Sequence, residues 1–216
     1  MEKNLKKRIY TSIFLFIALF SMLINNLILG YFLIILGVLS ILEFSKINSL
    51  IFPKKKIKKI LINIFFITYI LIFCSAFLFF SNFLHLKILI FIVLFTCVAS
   101  DIGGFIFGKI FKGPKLTKIS PNKTYTGSLG SLIFSSLLLS ISVFYLTKNF
   151  ELNIVIIGCI TSLGCQIGDL FFSYLKRKSS LKDTGNFLPG HGGILDRVDG
   201  ILVGMPVGFL ALLLIY

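Results

Sequence analysis

SYLKRKSSLKDTGNFLPGHGGILDRVD, residues 173–199, is the stretch on which the reading of this chain turns. It gathers Lys176, Arg177, Lys178, Lys182 and Arg197, the carboxylates Asp183, Asp196 and Asp199, the histidine His191 and a PGHGG turn, all between two strongly apolar runs. So many charges between such flanks mark a polar segment joining two membrane helices, because a charged side chain is costly in hydrocarbon and tolerable at its edge.

The remainder of the chain agrees. Of 216 residues, 56% are hydrophobic, and the mean hydropathy is +0.99. Apolar runs of about 17 to 25 residues recur, the length that crosses a bilayer as a helix. No soluble-looking stretch exceeds roughly 25 residues, too little for a separate water-soluble core. The expectation is an all-α integral membrane protein of about seven transmembrane helices with a cytoplasmic N-terminus. The helices are placed near 9–24, from Asn26 to about Glu43, and near 60–80, 88–107, 128–147, 152–175 and 201–216. The first run follows four cations and superficially resembles a signal peptide, but no small-x-small cleavage site follows it, and a retained hairpin is expected. Residues 1–87 are read as scaffold helices with a candidate dimer interface. Residues 88–216 are read as the catalytic part, with polar loops at 108–126 and 173–199.

Assigning alternate loops to one side places 20 of the 22 Lys and Arg residues on the N-terminal side, leaving Lys87 and Lys148 outside. By the positive-inside rule both polar loops then face the cytoplasm, where nucleotides and Mg²⁺ are available. The net charge of +14 is explained by topology and anionic lipid, so nucleic acid is not expected as a partner. Cys74, Cys97, Cys159 and Cys165 all fall in apolar runs without CxxC spacing or a nearby histidine, which argues for buried thiols rather than zinc or disulfides.

Of eight carboxylates, Glu2, Glu43 and Glu151 fall at helix ends or the terminus, where solvated roles suffice. The other five are aspartates. Asp101 and Asp169 each lie roughly 10 Å inside the expected cytoplasmic end of a helix, where a carboxylate needs a polar cavity, a metal or a lysine partner. Asp196 and Asp199, three apart, share one face if helical. Oxygen ligands without histidine or cysteine clusters favour Mg²⁺, with a second Mg²⁺ or a K⁺ bridged by Asp196, a set suited to in-line displacement at phosphorus. Lysines and arginines of both loops suit phosphate binding. The PGHGG glycines allow backbone amides close to a phosphate, or serve only to turn the chain into the last helix. His191 reads equally as a proton-transfer group or a hydrogen-bonded structural residue.

The pattern S-x-x-K-R-x4-K-D-x-G-x2-L-P-G-H-G-G-x-L-D-R-x-D, complete from Ser173 to Asp199, resembles the signature of the phosphatidate cytidylyltransferase (CDP-diacylglycerol synthase) family. The resemblance continues at Gly168-Asp169-Leu170-Phe171 and upstream through Asp101, Gly108, Lys115-Leu116, Ser120-Pro121 and Lys123-Thr124, so it covers about Asp101 to Asp199.

The resemblance implies that CTP and phosphatidate give CDP-diacylglycerol and pyrophosphate in a Mg²⁺-dependent, homodimeric enzyme of the bacterial inner membrane. It implies Asp169, Asp196 and Asp199 as metal ligands, and Ser120, Lys123, Thr124, Lys176, Arg177, Lys182 and Arg197 as phosphate or nucleotide contacts. Asp101 joins the substrate-binding set, and Asp183 and His191 stand between structure and catalysis. Two positions depart from the pattern: Thr126 and Phe172 stand where many members carry glutamate. The rival readings are a CTP-dependent enzyme acting on an isoprenoid lipid and a small transporter. Against the transporter, the charges gather on one face rather than along a path.

Overall fold

The computed structural model describes residues 17–117, 119–120, 123–185, 187 and 192–215. Helix α1 is seen over residues 17–24, and six further helices follow: α2 Asn26–Ile51, α3 Lys56–Ser81, α4 Leu84–Phe111, α5 Tyr125–Thr147, α6 Leu152–Lys178 and α7 Leu195–Ile215. Helices α2 to α7 are each long and apolar enough to cross a membrane. Among the described residues there is no strand, only one antiparallel bridge between Lys115 and Thr124. The chain is a helical integral membrane protein, and its outward side chains suit lipid: Phe65 is 76% exposed and Leu214 83%.

Most helices outrun the expected limits. A helix of 26 residues is about 39 Å long, more than the roughly 30 Å of hydrocarbon, so its ends carry polar residues without breaking. Thus α2 continues eight residues past Glu43, because Phe44, Ile47 and Asn48 keep its buried stripe going. Phe44 stacks on Phe66 of α3 at 3.8 Å, and the Asn48 amide donates to Lys59 O (2.9 Å) and Asn63 Oδ1 (2.6 Å). The expected loop at 44–59 shrinks to 52–55. Helix α7 begins at Leu195 rather than near 201, so Asp196 stands in its first turn.

The chain forms two compact units. One comprises the described part of Met1–Lys87 with Leu175–Val198; the other is Ile88–Tyr174 with Asp199–Tyr216. In the first, α2 and α3 form an antiparallel hairpin against which the segment after α6 folds. At one end of this hairpin, Asn25 caps α2 by accepting from Leu27 N at 2.8 Å. At the other, Lys58 and Lys178 lie 4.8 and 5.6 Å from the ring of Phe52.

The second unit is held by small residues that let backbones touch. A Cβ on Gly103 of α4 would stand 2.5 Å from Gly130 O of α5, and one on Gly168 of α6 would stand 2.5 Å from Asp199 O of α7. Hydroxyls add directional bonds: Ser131 Oγ donates to Ser100 O at 2.7 Å, and Ser100 and Ser162 Oγ are 2.8 Å apart.

Candidate active site

In the first unit the polar groups converge on the start of α7. Lys176, near the end of α6, donates to Asp196 Oδ1 at 2.8 Å. Asp196 Oδ2 accepts from Thr184 N (2.8 Å), Thr184 Oγ1 (3.0 Å) and Gly193 N (3.1 Å). Lys176 and the Thr184 and Gly193 amides are three donors to Asp196, and the one proton of the Thr184 hydroxyl is shared between Asp196 and Glu43. The fold therefore uses it to tie the α6–α7 segment to the first turn of α7.

Glu43 was expected to be solvated at a helix end and is instead 3% exposed. Its Oε1 accepts from Ile194 N (3.0 Å), and its Oε2 from Leu195 N (2.9 Å) and Thr184 Oγ1 (2.7 Å). Helix α2 thus supplies the acceptor that the opening amides of α7 lack within their own helix. This changes the meaning of the glycines. A Cβ on Gly185 would fall 2.5 Å from Glu43 Oε1, and one on Gly193 would fall 2.5 Å from Glu43 Oε2. The described glycines make room for a protein carboxylate; of the PGHGG amides, that of Gly193 is already engaged by Asp196, and the Ile194 and Leu195 amides that follow are engaged by Glu43. Gly192, at φ 84°, turns the chain beside Asp183.

Lys182, Asp183, Arg177 and Arg197 are exposed around this turn. His191 lies outside the described residues, as do Pro189 and Gly190.

The second unit contains a cavity of about 230 Å³ lined by Asp101, Lys123, Thr124, Ser128, Gln166 and Asp169 among others. A short hairpin delivers Lys123 to it: Leu116 N donates to Lys123 O (2.7 Å) and Tyr125 N to Pro114 O (3.0 Å). Thr124 caps α5 by accepting from Gly127 N at 3.1 Å. Lys123 Nζ forms an ion pair with Asp169 Oδ2. Ser120 lies in the same hairpin, where its carbonyl accepts from Lys123 N at 3.1 Å. Thr126, one of the two departures, serves this hairpin by accepting from Gly113 N at 3.3 Å. Phe172, the other, is 4% exposed and packs edge-on against Phe171.

Gln166 was not singled out from the sequence. One turn before Asp169, its Oε1 accepts from Ser128 Oγ at 2.5 Å and its Nε2 donates to Ser128 O at 3.3 Å. The signal was present: an amide inside an apolar run, three residues from a carboxylate, shares that carboxylate's face.

Asp199, 8% exposed, accepts from Gly200 N at 3.0 Å. Among the described residues no group of three or more His, Cys, Asp or Glu is placed to hold a metal alone. The cavity lining nevertheless offers donors of the kind that suit Mg²⁺, two carboxylates with hydroxyl and amide oxygens, an incomplete protein set of the sort that this ion accepts when water and other oxygen ligands fill the remaining positions.

The chain is similar to known proteins over somewhat more than half of its length. Over 128 residues, 55% of this chain, it is 44% identical to a phosphatidate cytidylyltransferase of Rickettsia typhi, covering 56% of that protein. It is 42% identical over 113 residues to the phosphatidate cytidylyltransferase of Helicobacter pylori, covering 52% of this chain and 42% of the relative. With the Mycobacterium leprae protein of the same name it shares 36% over 127 residues, 58% of this chain and 41% of the relative. The matches thus span about half the length of these relatives. The model of the cytidylyltransferase family matches residues 3–215, and the chain belongs to that family.

Proposed function

We propose that the protein is a phosphatidate cytidylyltransferase, joining CTP to phosphatidate with release of pyrophosphate. The observation that carries the proposal is the cavity of the second unit, where Lys123 and Asp169 pair beside Asp101 and Gln166. It combines a phosphate-seeking cation with hard oxygen donors in a protein whose lipid-facing surface is apolar. The relatives bearing that name support the same reading.

The lipid phosphate is the nucleophile, attacking the α-phosphorus of CTP in line and expelling pyrophosphate. It is already anionic, so the chain need not supply a strong base. Its residues instead position and neutralise charge. Lys123, Ser120 and Thr124 bring one phosphate group to the cavity. Lys176, Arg177, Lys182 and Arg197 serve phosphates from the α6–α7 segment, Arg through its fork and Lys as a point charge. Lys182, Asp183 and His191 remain proposed members of the catalytic set.

The proposed metal ligands are Asp169, Asp196 and Asp199, with Asp101 beside Asp169. Asp196 becomes available when Lys176 leaves its Oδ1 for substrate phosphate. Mg²⁺, with a second Mg²⁺ or a K⁺, supplies charge neutralisation for the attacking and leaving oxygens. We place the N-terminus and both polar segments on the cytoplasmic side of a bacterial inner membrane, and the enzyme as a homodimer.

The test is purified protein in detergent with phosphatidate, labelled CTP and Mg²⁺. CDP-diacylglycerol and pyrophosphate are the expected products, and Asp196→Asn is expected to abolish turnover while the protein still inserts. Absence of product with every acyl composition refutes the reading. Turnover with isoprenoid lipids alone, or release of CDP instead of pyrophosphate, assigns the chain to another CTP-dependent lipid enzyme.

A further inference from the structure

We infer that Glu43 is a positioning residue for this reaction: from α2 it holds Thr184 and the first turn of α7 in the arrangement that aims Asp196 and Lys176. The inference rests on the cytidylyltransferase reading above, but its structural half is independent of it. Glu43 reaches partners 141 to 152 positions away and takes three bonds of 2.7 to 3.0 Å on its two oxygens. No described Lys or Arg forms an ion pair with it. Its counter-charge is the positive end of α7, and a buried carboxylate of that kind persists only when its acceptors are filled.

Thr184 links Glu43 to the reacting face. Its single hydroxyl proton meets two carboxylate oxygens, Glu43 Oε2 at 2.7 Å and Asp196 Oδ2 at 3.0 Å. A shift of Glu43 is therefore passed directly to Asp196. Because Oε1 and Oε2 both face donors, glutamine is no substitute: whichever position its amide nitrogen takes, one of the Ile194 and Leu195 N–H groups meets another donor. The same engagement closes the Ile194 and Leu195 amides to phosphate, as Asp196 does for the Gly193 amide, leaving phosphate binding at this turn to its side chains.

The experiment compares wild-type protein with Glu43→Gln, Glu43→Asp and Thr184→Val in detergent, by amide hydrogen exchange and by kinetics with CTP and phosphatidate. In Glu43→Gln, exchange at residues 193–195 is expected to rise about tenfold, with α5 unchanged. Its kcat is expected to fall about tenfold while KM for CTP moves less than about threefold. Glu43→Asp, which keeps the charge, is expected to recover part of both effects, and Thr184→Val to lower kcat without releasing the Ile194 amide.

Wild-type exchange in Glu43→Gln overturns the positioning role. So does uniform loosening that includes α5, with Glu43→Asp no better than Glu43→Gln. Faster local exchange with wild-type kcat overturns the link to turnover. A wild-type protein that makes no CDP-lipid defeats the proposed function instead, while the exchange comparison still decides whether Glu43 holds the turn.

Discussion

Glu43 Oε2 and Thr184 Oγ1 stand 2.7 Å apart although 141 positions separate them. A methyl group on Gly193 has no room beside them: it would overlap Thr184 Oγ1 and stand 2.5 Å from Glu43 Oε2. Gly193→Ala is therefore expected to push Glu43 or Thr184 out of its bonds. Overpacking of this kind costs about 1–3 kcal/mol. The expected result is a lowered thermal midpoint in detergent together with a loss of CDP-diacylglycerol formation greater than that of a distant, lipid-facing control such as Leu214→Ala.

The Lys123–Asp169 pair predicts strongly non-additive kinetics. Lys123→Met and Asp169→Asn each leave one member of a partly buried pair without its partner, and each is expected to lower kcat/KM by about 100-fold. The double variant is expected to be little worse than either single one, because both changes disable one unit. Steady-state kinetics on the three proteins checks this.

Chelation is expected to stop turnover and added Mg²⁺ to restore it. The carboxylates that line the cavity would then set the metal requirement. Asp101→Asn is expected to raise the Mg²⁺ concentration for half-maximal activity by about tenfold with a smaller change in maximal rate. A Mg²⁺ titration of both proteins at fixed CTP reads this out.

The distribution of cations predicts the orientation. In a background without native cysteines, Lys148→Cys in intact cells is expected to react with a membrane-impermeant maleimide, and Lys54→Cys to react only after permeabilisation. Reversal of the two patterns would place both polar segments outside the cell.

The helical class was legible because the bilayer imposes it. Backbone groups in hydrocarbon must bond within their own segment, so long apolar runs leave little choice. Helix ends were less legible. Apolarity marks where lipid stops, whereas a helix continues as long as its amides find acceptors, as α2 does to Ile51 and α7 does from Leu195. Asp169 as a carboxylate inside an apolar run could be read locally from its neighbours, whereas Thr124, expected as a substrate contact, emerged as the α5 cap only in the structure.

By itself, then, the sequence determined a membrane-spanning helical protein, the two polar segments and the family signature from Ser173 to Asp199. Only the tertiary structure decided which carboxylate serves which group. Glu43 looks like an ordinary helix-end residue in the sequence, yet it is the acceptor for α7. Asp196 looks open to a metal, yet Lys176 and the Thr184 and Gly193 amides already bond to it. Hydrogen bonds are short-ranged and directional, so their partners are set by which chain segments meet in space, and a run of letters carries no record of a meeting 150 residues away.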